Sequence, residues 1–196
     1  MTAAAVLLAL VTLERLAELW LARRNTAALL ARGAFEAAPE HYPAIVALHA
    51  AWLVGLWLFG WDRPVDPVWL AVFLVLQVLR AWVLVTLKDR WTPRIIILRA
   101  PLDTTGPYRF LSHPNYLVVI GEIATLPLSL GLPGFALLFS IANAAVLSVR
   151  IRAESAALRD GSDGLALADE QHSSDVHAAY HRDSAPENLN ATTNSQ

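Results

Sequence analysis

The sequence predicts an all-α membrane protein, a polytopic helical bundle of about five transmembrane helices. Hydrophobic residues make up 56% of its 196 positions and charged ones only 16%, far from the balance of a water-soluble domain. Apolar stretches approach the roughly 20 residues that a helix needs to cross about 30 Å of hydrocarbon. Basic residues outside those stretches cluster in alternate connections, twelve on one set and Arg63 alone on the other, the asymmetry of a chain threaded through a bilayer.

The first stretch, Ala3 to Ala22, has no Lys or Arg ahead of it and is interrupted by Glu14, Arg15 and Glu18, which fits a cleavable leader poorly and a first span better. Ala44 to Gly60 and Pro67 to Leu87 follow as spans two and three. Two shorter runs, Tyr116 to Leu130 and Gly134 to Val149, are joined by Gly131-Leu132-Pro133-Gly134, whose Gly and Pro residues favour a tight reversal, so they read as a helical hairpin. The basic-rich connections are the one with Arg23, Arg24 and Arg32, the one from Lys88 to Asn115, and the region after the last span. Their sharing one side places the N-terminus outside and the long loop and C-terminus in the cytoplasm, as in a bacterial inner membrane or its equivalent.

Three regions follow: residues 1–87 with the first three spans, 88–159 with the loop and hairpin, and 160–196 as a polar tail. The tail has few large apolar residues and is expected to be mostly mobile. Within it only His177 and His181 of its three histidines (with His172) have helical i, i+4 spacing, and no carboxylate is placed to complete a ligand set, so no metal is expected. With no cysteine, the chain has no disulfide, thiolate nucleophile or Cys-ligated metal. A net charge of -2 gives no basic excess, and nucleic acid is not an expected partner.

Ionisable residues at membrane depth cost roughly 2.5 to 3.5 kcal/mol each, so each needs a partner or a task. Glu14 and Glu18 share a face of span one, with Arg15 three residues before Glu18, and Gln77 and Arg80 share a face of span three. That pattern predicts an ion pair of Arg80 with Glu18 or Glu14, or else the polar wall of a substrate cavity. Glu122 and Asn143 sit in the two arms of the hairpin, where they either bond helix to helix or face a cavity as substrate-binding groups.

The loop combines Trp91-Thr92-Pro93-Arg94 with Gly106-Pro107-Tyr108-Arg109 and with Ser112-His113-Pro114-Asn115-Tyr116. Gly106-Pro107 favours a turn, the tyrosines offer rings with hydroxyl handles, and Pro114 stands where span four begins. Such a segment serves either as an interfacial aromatic belt with snorkelling arginines or as a loop that closes over a flat polar ligand.

The Gly106 to Arg109 and Ser112 to Tyr116 segments, followed one hairpin later by Arg150-Ile151-Arg152-Ala153-Glu154-Ser155-Ala156-Ala157-Leu158, resemble the paired signature of the isoprenylcysteine carboxyl methyltransferase family. Glu40-His41-Tyr42-Pro43, His49 and Trp91-Thr92-Pro93-Arg94 further resemble a bacterial subgroup linked to polyketide synthesis and alkylpyrone methylation. The resemblance implies S-adenosylmethionine as cofactor. It implies cofactor binding by Gly106, Pro107, Tyr108, Arg109, His113, Pro114, Tyr116 and Glu154, and catalytic roles for Arg150, Arg152 and Glu154. Two positions depart from the family pattern: Ser112 replaces a common Arg, and Ser155 replaces the second of two Glu residues. The lost carboxylate bears on the acceptor more than on the cofactor.

The physical requirements run parallel. A sulfonium, an adenine plane and an amino-acid zwitterion call for aromatic faces, a carboxylate and a cation, and Tyr108, Tyr116, Glu154, His113, Arg109 and Arg150 have that chemistry. The nine glycines never form G-x-G, against a Rossmann-type cofactor domain. The expected acceptor is a lipophilic small molecule or a lipidated chain, methylated on a carboxylate or enol oxygen, oriented by Arg152 or Arg150 while His113 fixes the loop or the cofactor. Alternatives are an NADPH-dependent reductase of the sterol-reductase kind, a phospholipid N-methyltransferase, and a non-catalytic membrane module on the same scaffold.

Overall fold

The structure, a computed structural model, describes residues 2–37, 39–97, 105–111 and 113–153, all within one compact unit, Met1–Ser155. Five long helices appear: α1 (Ala3–Ala31), α2 (Tyr42–Gly60), α3 (Pro67–Leu87), α4 (Pro114–Ser129) and α5 (Pro133–Ala153). The polar tail and Glu154 lie outside the described residues.

α3 has the limits expected from its sequence, because the Asp66 carboxylate accepts from the N–H groups of Val68 and Trp69 at 2.8 and 3.1 Å and caps its start. α1 runs well past the Ala22 limit. Arg23 and Arg24 look like the end of a span, but no Gly or Pro follows them until Gly33, and the intervening Ala and Leu residues are good helix formers. Gly33, at φ 86°, ends the helix: its N–H donates to the Leu30 carbonyl at 3.0 Å and that of Ala34 to Leu29 at 3.2 Å, the left-handed closure that glycine makes inexpensive. Gly131, at φ 67°, closes α4 in the same way. Pro127 within α4 has no N–H for the Ile123 carbonyl, and Trp52 of α2 donates its indole N–H there instead, at 3.3 Å.

α2, the Pro67–Arg90 segment containing α3, and α5 are long and apolar enough to cross a membrane. α4, with 16 residues, spans about 24 Å at 1.5 Å per residue, and α1 carries five charged side chains within its length. Both are accommodated because Arg15, Glu18 and Glu122 turn inward to one another, while Arg23 and Arg24 are exposed towards the loop end of α1. Val78 is 72% exposed and Leu137 63%, whereas Arg80 is 4% and Glu122 3% exposed, the distribution suited to hydrocarbon outside and polar groups inside.

The bundle has three tiers. At one end an apolar core joins Leu8 and Val11 of α1, Trp52 and Leu56 of α2, Phe73 of α3 and Ile123 and Leu126 of α4. There the Asp66 N–H meets the Ser129 carbonyl at 2.7 Å, so the start of α3 lies beside the end of α4. The middle tier is a cluster of charged side chains. At the far end, the α1 extension holds the long loop: Asn25 donates to the carbonyls of Lys88 and Trp91 at 2.9 and 2.8 Å, and Thr26 pairs with Thr92 at 2.8 Å. A small antiparallel ladder not foreseen from periodicity, β1 (Phe35–Glu36) with β2 (Ile96–Ile97), ties the α1–α2 connection to the same loop.

Charged groups in the middle tier make stability depend on complete pairing. Arg80→Met strips a cation from two buried carboxylates and is expected to cost about 3–5 kcal/mol, as when one partner of a buried pair is removed. Glu122→Gln, which keeps hydrogen-bonding atoms in place, is expected to cost less. Thermal denaturation of both variants in detergent checks the order; equal melting temperatures for Arg80→Met and the parent would refute it.

Candidate functional site

The middle tier is built by residues from three helices. Arg80 donates from Nε to Glu122 Oε1 and from Nη1 to Glu18 Oε1, each at 2.8 Å, and also bonds Glu122 Oε2 through Nη2. Arg15 donates to Glu18 Oε2 at 2.8 Å and to Glu122 Oε2 at 3.2 Å, and Gln77 donates to Glu122 Oε1 at 2.9 Å. Glu14 stands 3.5 Å from Arg15. The Arg80–Glu18 pair expected from helical spacing is present, and Arg80 serves a second carboxylate as well. Glu122 receives bonds from Arg15, Gln77 and the Nε and Nη2 groups of Arg80, which fills the acceptor positions of its two oxygens. It holds three helices together beneath the cavity and is not on the cavity wall.

Above this cluster lies a cavity of about 270 Å³. Its floor is Arg15, Glu18 and Arg80; its sides are aliphatic, with Leu19 of α1, Ile45 and Leu53 of α2, Val119 of α4 and Val146 of α5. Polar, aromatic and proline residues complete the lining: Tyr42 and His49 of α2, Trp91 and Pro93 of the loop, Asn115 and Tyr116 of α4, and Asn143 and Arg150 of α5. Such a space suits an amphiphile, with an apolar body and a polar end.

Arg150 is the best-held of these groups. It donates from Nε to the Tyr116 hydroxyl at 3.1 Å and from Nη1 to the Pro93 carbonyl, and its guanidinium lies 5.6 Å from the centroid of the Tyr116 ring. Both oxygen partners are neutral, so among the described residues its charge meets no carboxylate. Tyr116 in turn stacks on His113, with centroids 5.1 Å apart and planes inclined by 15°. The loop is pinned from the other side by Arg94, which donates to both oxygens of Glu36 at 2.9 and 2.8 Å and lies 4.3 Å over the Tyr42 ring.

Of the residues singled out from the sequence, Arg150, Tyr116 and Asn143 meet at the cavity. His113 is exposed and reaches the site through its stack on Tyr116. Pro114 is buried at the start of α4. Gly106, Pro107, Tyr108 and Arg109 form a 3₁₀ turn against α3, with Pro107 buried and Arg109 exposed. Arg152 is exposed on α5 and does not line the cavity. Glu154 and Ser112 lie outside the described residues.

The sequence gives Tyr42, His49, Trp91 and Pro93 no individual role, although all four belong to the stretches that resemble a bacterial subgroup and the last two to the loop that can close over a ligand. Nor did it place Asn115 on the cavity wall. Their signal was present as polar or ring-bearing residues beside apolar runs, but which of them converge depends on contacts between distant helices.

The family model described as the isoprenylcysteine carboxyl methyltransferase (ICMT) family matches residues 69–160, from α3 through α5. An uncharacterized protein of Bacillus subtilis (strain 168), YpbQ, is 37% identical over 163 residues, covering 80% of this chain and 97% of the relative. No solved structure matches the chain.

The Gly106 turn offers a direct test of how the loop is seated. A Cβ there would collide with Thr86 Oγ1, and φ is 58°. Gly106→Ala is expected to destabilise the protein through both effects. Adding Thr86→Ala relieves the collision but leaves the left-handed backbone, worth about 1–2 kcal/mol, so the double variant recovers only part of the loss. Full recovery in a thermal melt would show that the backbone conformation is unimportant.

Proposed function

Because this chain belongs to the isoprenylcysteine carboxyl methyltransferase family, a family of membrane methyltransferases, we propose that it is an S-adenosylmethionine-dependent O-methyltransferase. Its acceptor is a lipophilic molecule bearing an acidic oxygen, a carboxylate or an enol, such as a prenylated cysteine or an alkylpyrone. The observation that carries this reading is Arg150, a cation lining an amphiphilic cavity, positioned by neutral partners alone among the described residues.

The donor set fits the cofactor. Rings are supplied by Tyr116, Tyr42 and Trp91, and hydrogen-bonding amides by Asn115 and Asn143, groups that an adenine plane and an amino-acid zwitterion call for. Glu154, four positions after Arg150 in the sequence, has the carboxylate that a sulfonium calls for. When bound, the cofactor supplies an electrophilic methyl group on a sulfonium sulfur.

The chain's own contribution is orientation. Arg150 is held by two oxygens and a ring face, so it presents its remaining N–H groups in a set direction and aligns an anionic oxygen at little entropic cost. The aliphatic walls exclude water, which strengthens that attraction. The His113–Tyr116 stack keeps the loop over the cavity. Leu16 and Val46 both line the cavity and are exposed on the outer surface, which gives a lipophilic acceptor a side entrance between α1 and α2. The excess of basic residues on the loop side supports that side's facing the cytoplasm, with the N-terminus outside. A phospholipid amine fits less well, since Arg150, whose hydrogen-bond partners among the described residues are neutral, suits an anionic oxygen.

Membranes containing the chain, given labelled S-adenosylmethionine with prenyl-cysteine, alkylpyrone or phospholipid acceptors, are expected to label an acidic-oxygen acceptor. Arg150→Gln should lower kcat/KM at least about tenfold, or about 1.4 kcal/mol, while Arg152→Gln stays within about twofold of the parent, the size of effect usual for exposed sites. Label in the phospholipid amine alone, or full activity in Arg150→Gln, would reject this assignment.

A further inference from the structure

Asn143 is a buried amide that the bundle leaves unbonded. It is 4% exposed and lines the cavity, yet its side chain has no hydrogen-bond partner among the described residues. His49 of α2, on the same cavity, is in a similar position at one ring nitrogen. Its Nδ1 is 2.8 Å from the carbonyl oxygen of Ile45. A carbonyl only accepts, so Nδ1 carries the proton, and Nε2 is an acceptor with no partner among the described residues. Buried polar groups without bonds are costly, so two of them on one cavity point to a ligand.

Both groups sit at one depth. Tyr42 packs against Arg94 of the loop and Arg150 bonds the loop's Pro93 carbonyl, so these two mark the loop ends of α2 and α5. His49 follows Tyr42 by seven residues, and Asn143 precedes Arg150 by seven. Seven residues make two helical turns, about 10 Å along the axis, and return to nearly the same face. The outer halves of α2 and α5 also touch, since a Cβ at Gly55 would run into the Phe135 ring. The cavity therefore has two polar stations, one at the loop end and one deeper, with Ile45 and Val146 between them.

The deeper station calls for an uncharged group. Arg15 and Arg80 are already matched by Glu18 and Glu122, so a further charge there would find no counter-charge. The group must also donate, because His49 Nε2 can only accept. A ketone or ether oxygen bonds Asn143 alone and leaves Nε2 bare. A hydroxyl donates to the imidazole and accepts from the amide. A plain alkyl tail strips both groups of water and returns nothing.

We propose that His49 and Asn143 bind a hydroxyl carried on the apolar tail of the acceptor, about 10 Å from the oxygen that takes the methyl group, and that they select acceptors by it. This rests on the methyltransferase reading above and narrows it: Arg150 holds the reacting end, and the deeper station reads the tail. Asn115, at the start of α4, is the cavity amide left for the cofactor. The tail has a continuous route. Leu16, next to Arg15, and Val46, one turn before His49, border the side entrance, so a tail leaving Arg150 for the lipid passes the station on its way.

The test uses the full chain in lipid nanodiscs with labelled S-adenosylmethionine and acceptors built on two heads, a pyrone enol and a thioether-linked cysteine carboxylate. Each head carries a plain alkyl tail, a tail with a hydroxyl about 10 Å from the acidic oxygen, or a tail with a ketone at that place. The parent is expected to favour the hydroxyl tail at least about tenfold in kcat/KM over either of the others, because a site that bonds a hydroxyl discriminates against its absence. Asn143→Leu and His49→Phe should each bring the ratio of hydroxyl to plain tail towards one. A change that merely loosened the fold would lower both acceptors together and leave the ratio as it was. A parent ratio near one, a ketone tail used as well as the hydroxyl, or a ratio unchanged in both variants overturns the inference while methyl transfer stands. Label in no acceptor removes the methyltransferase reading and this inference with it.

Discussion

Everything in this bundle is arranged around two carboxylates that must be neutralised away from water. Glu18 and Glu122 approach Arg80 from different helices, and Arg15 closes the group by reaching both. In hydrocarbon none of these charges is tolerable alone. Their mutual satisfaction fixes α1, α3 and α4 at one level, and it lets a short helix and a charged one share the membrane with three apolar ones.

A rigid charged layer has a second effect, because it forms a floor. The aliphatic residues above it pack less completely, and the space left is bounded by Arg15, Glu18 and Arg80 below and by the loop above. The loop is placed by α1, which continues as a helix for nine residues beyond Ala22 and offers Asn25 and Thr26 to its backbone and side chains. The helix extension and the charged layer thus set the two ends of the cavity independently. Arg150 belongs to neither, and its neutral partners leave its charge for a ligand.

Much of this was legible in the sequence. The limits of α3 follow from an Asp-Pro start and an apolar run of the right length, and the Arg80–Glu18 pair follows from helical spacing and the cost of charge in a membrane. The hairpin was marked by its glycines. The missing parts have physical causes. Arg23 and Arg24 resemble a membrane boundary, yet nothing after them breaks a helix. For Glu122 the sequence leaves a helix-to-helix bond and a cavity wall both open, because periodicity within α4 says nothing of Arg80, 42 positions earlier. The short ladder of Glu36 with Ile96 is too brief for a period to show. His49 and Tyr42 are visible as residues but not as lining the same cavity as Arg150, since that convergence is a property of packing alone.

The central claim is that the space between the charged floor and the loop holds a sulfonium methyl donor. Equilibrium binding of labelled S-adenosylmethionine to the purified chain in nanodiscs, with NADPH as competitor, tests it most directly. The account predicts saturable binding that NADPH does not displace and that Arg150→Gln weakens. Absence of saturable binding, or displacement by NADPH, would contradict it.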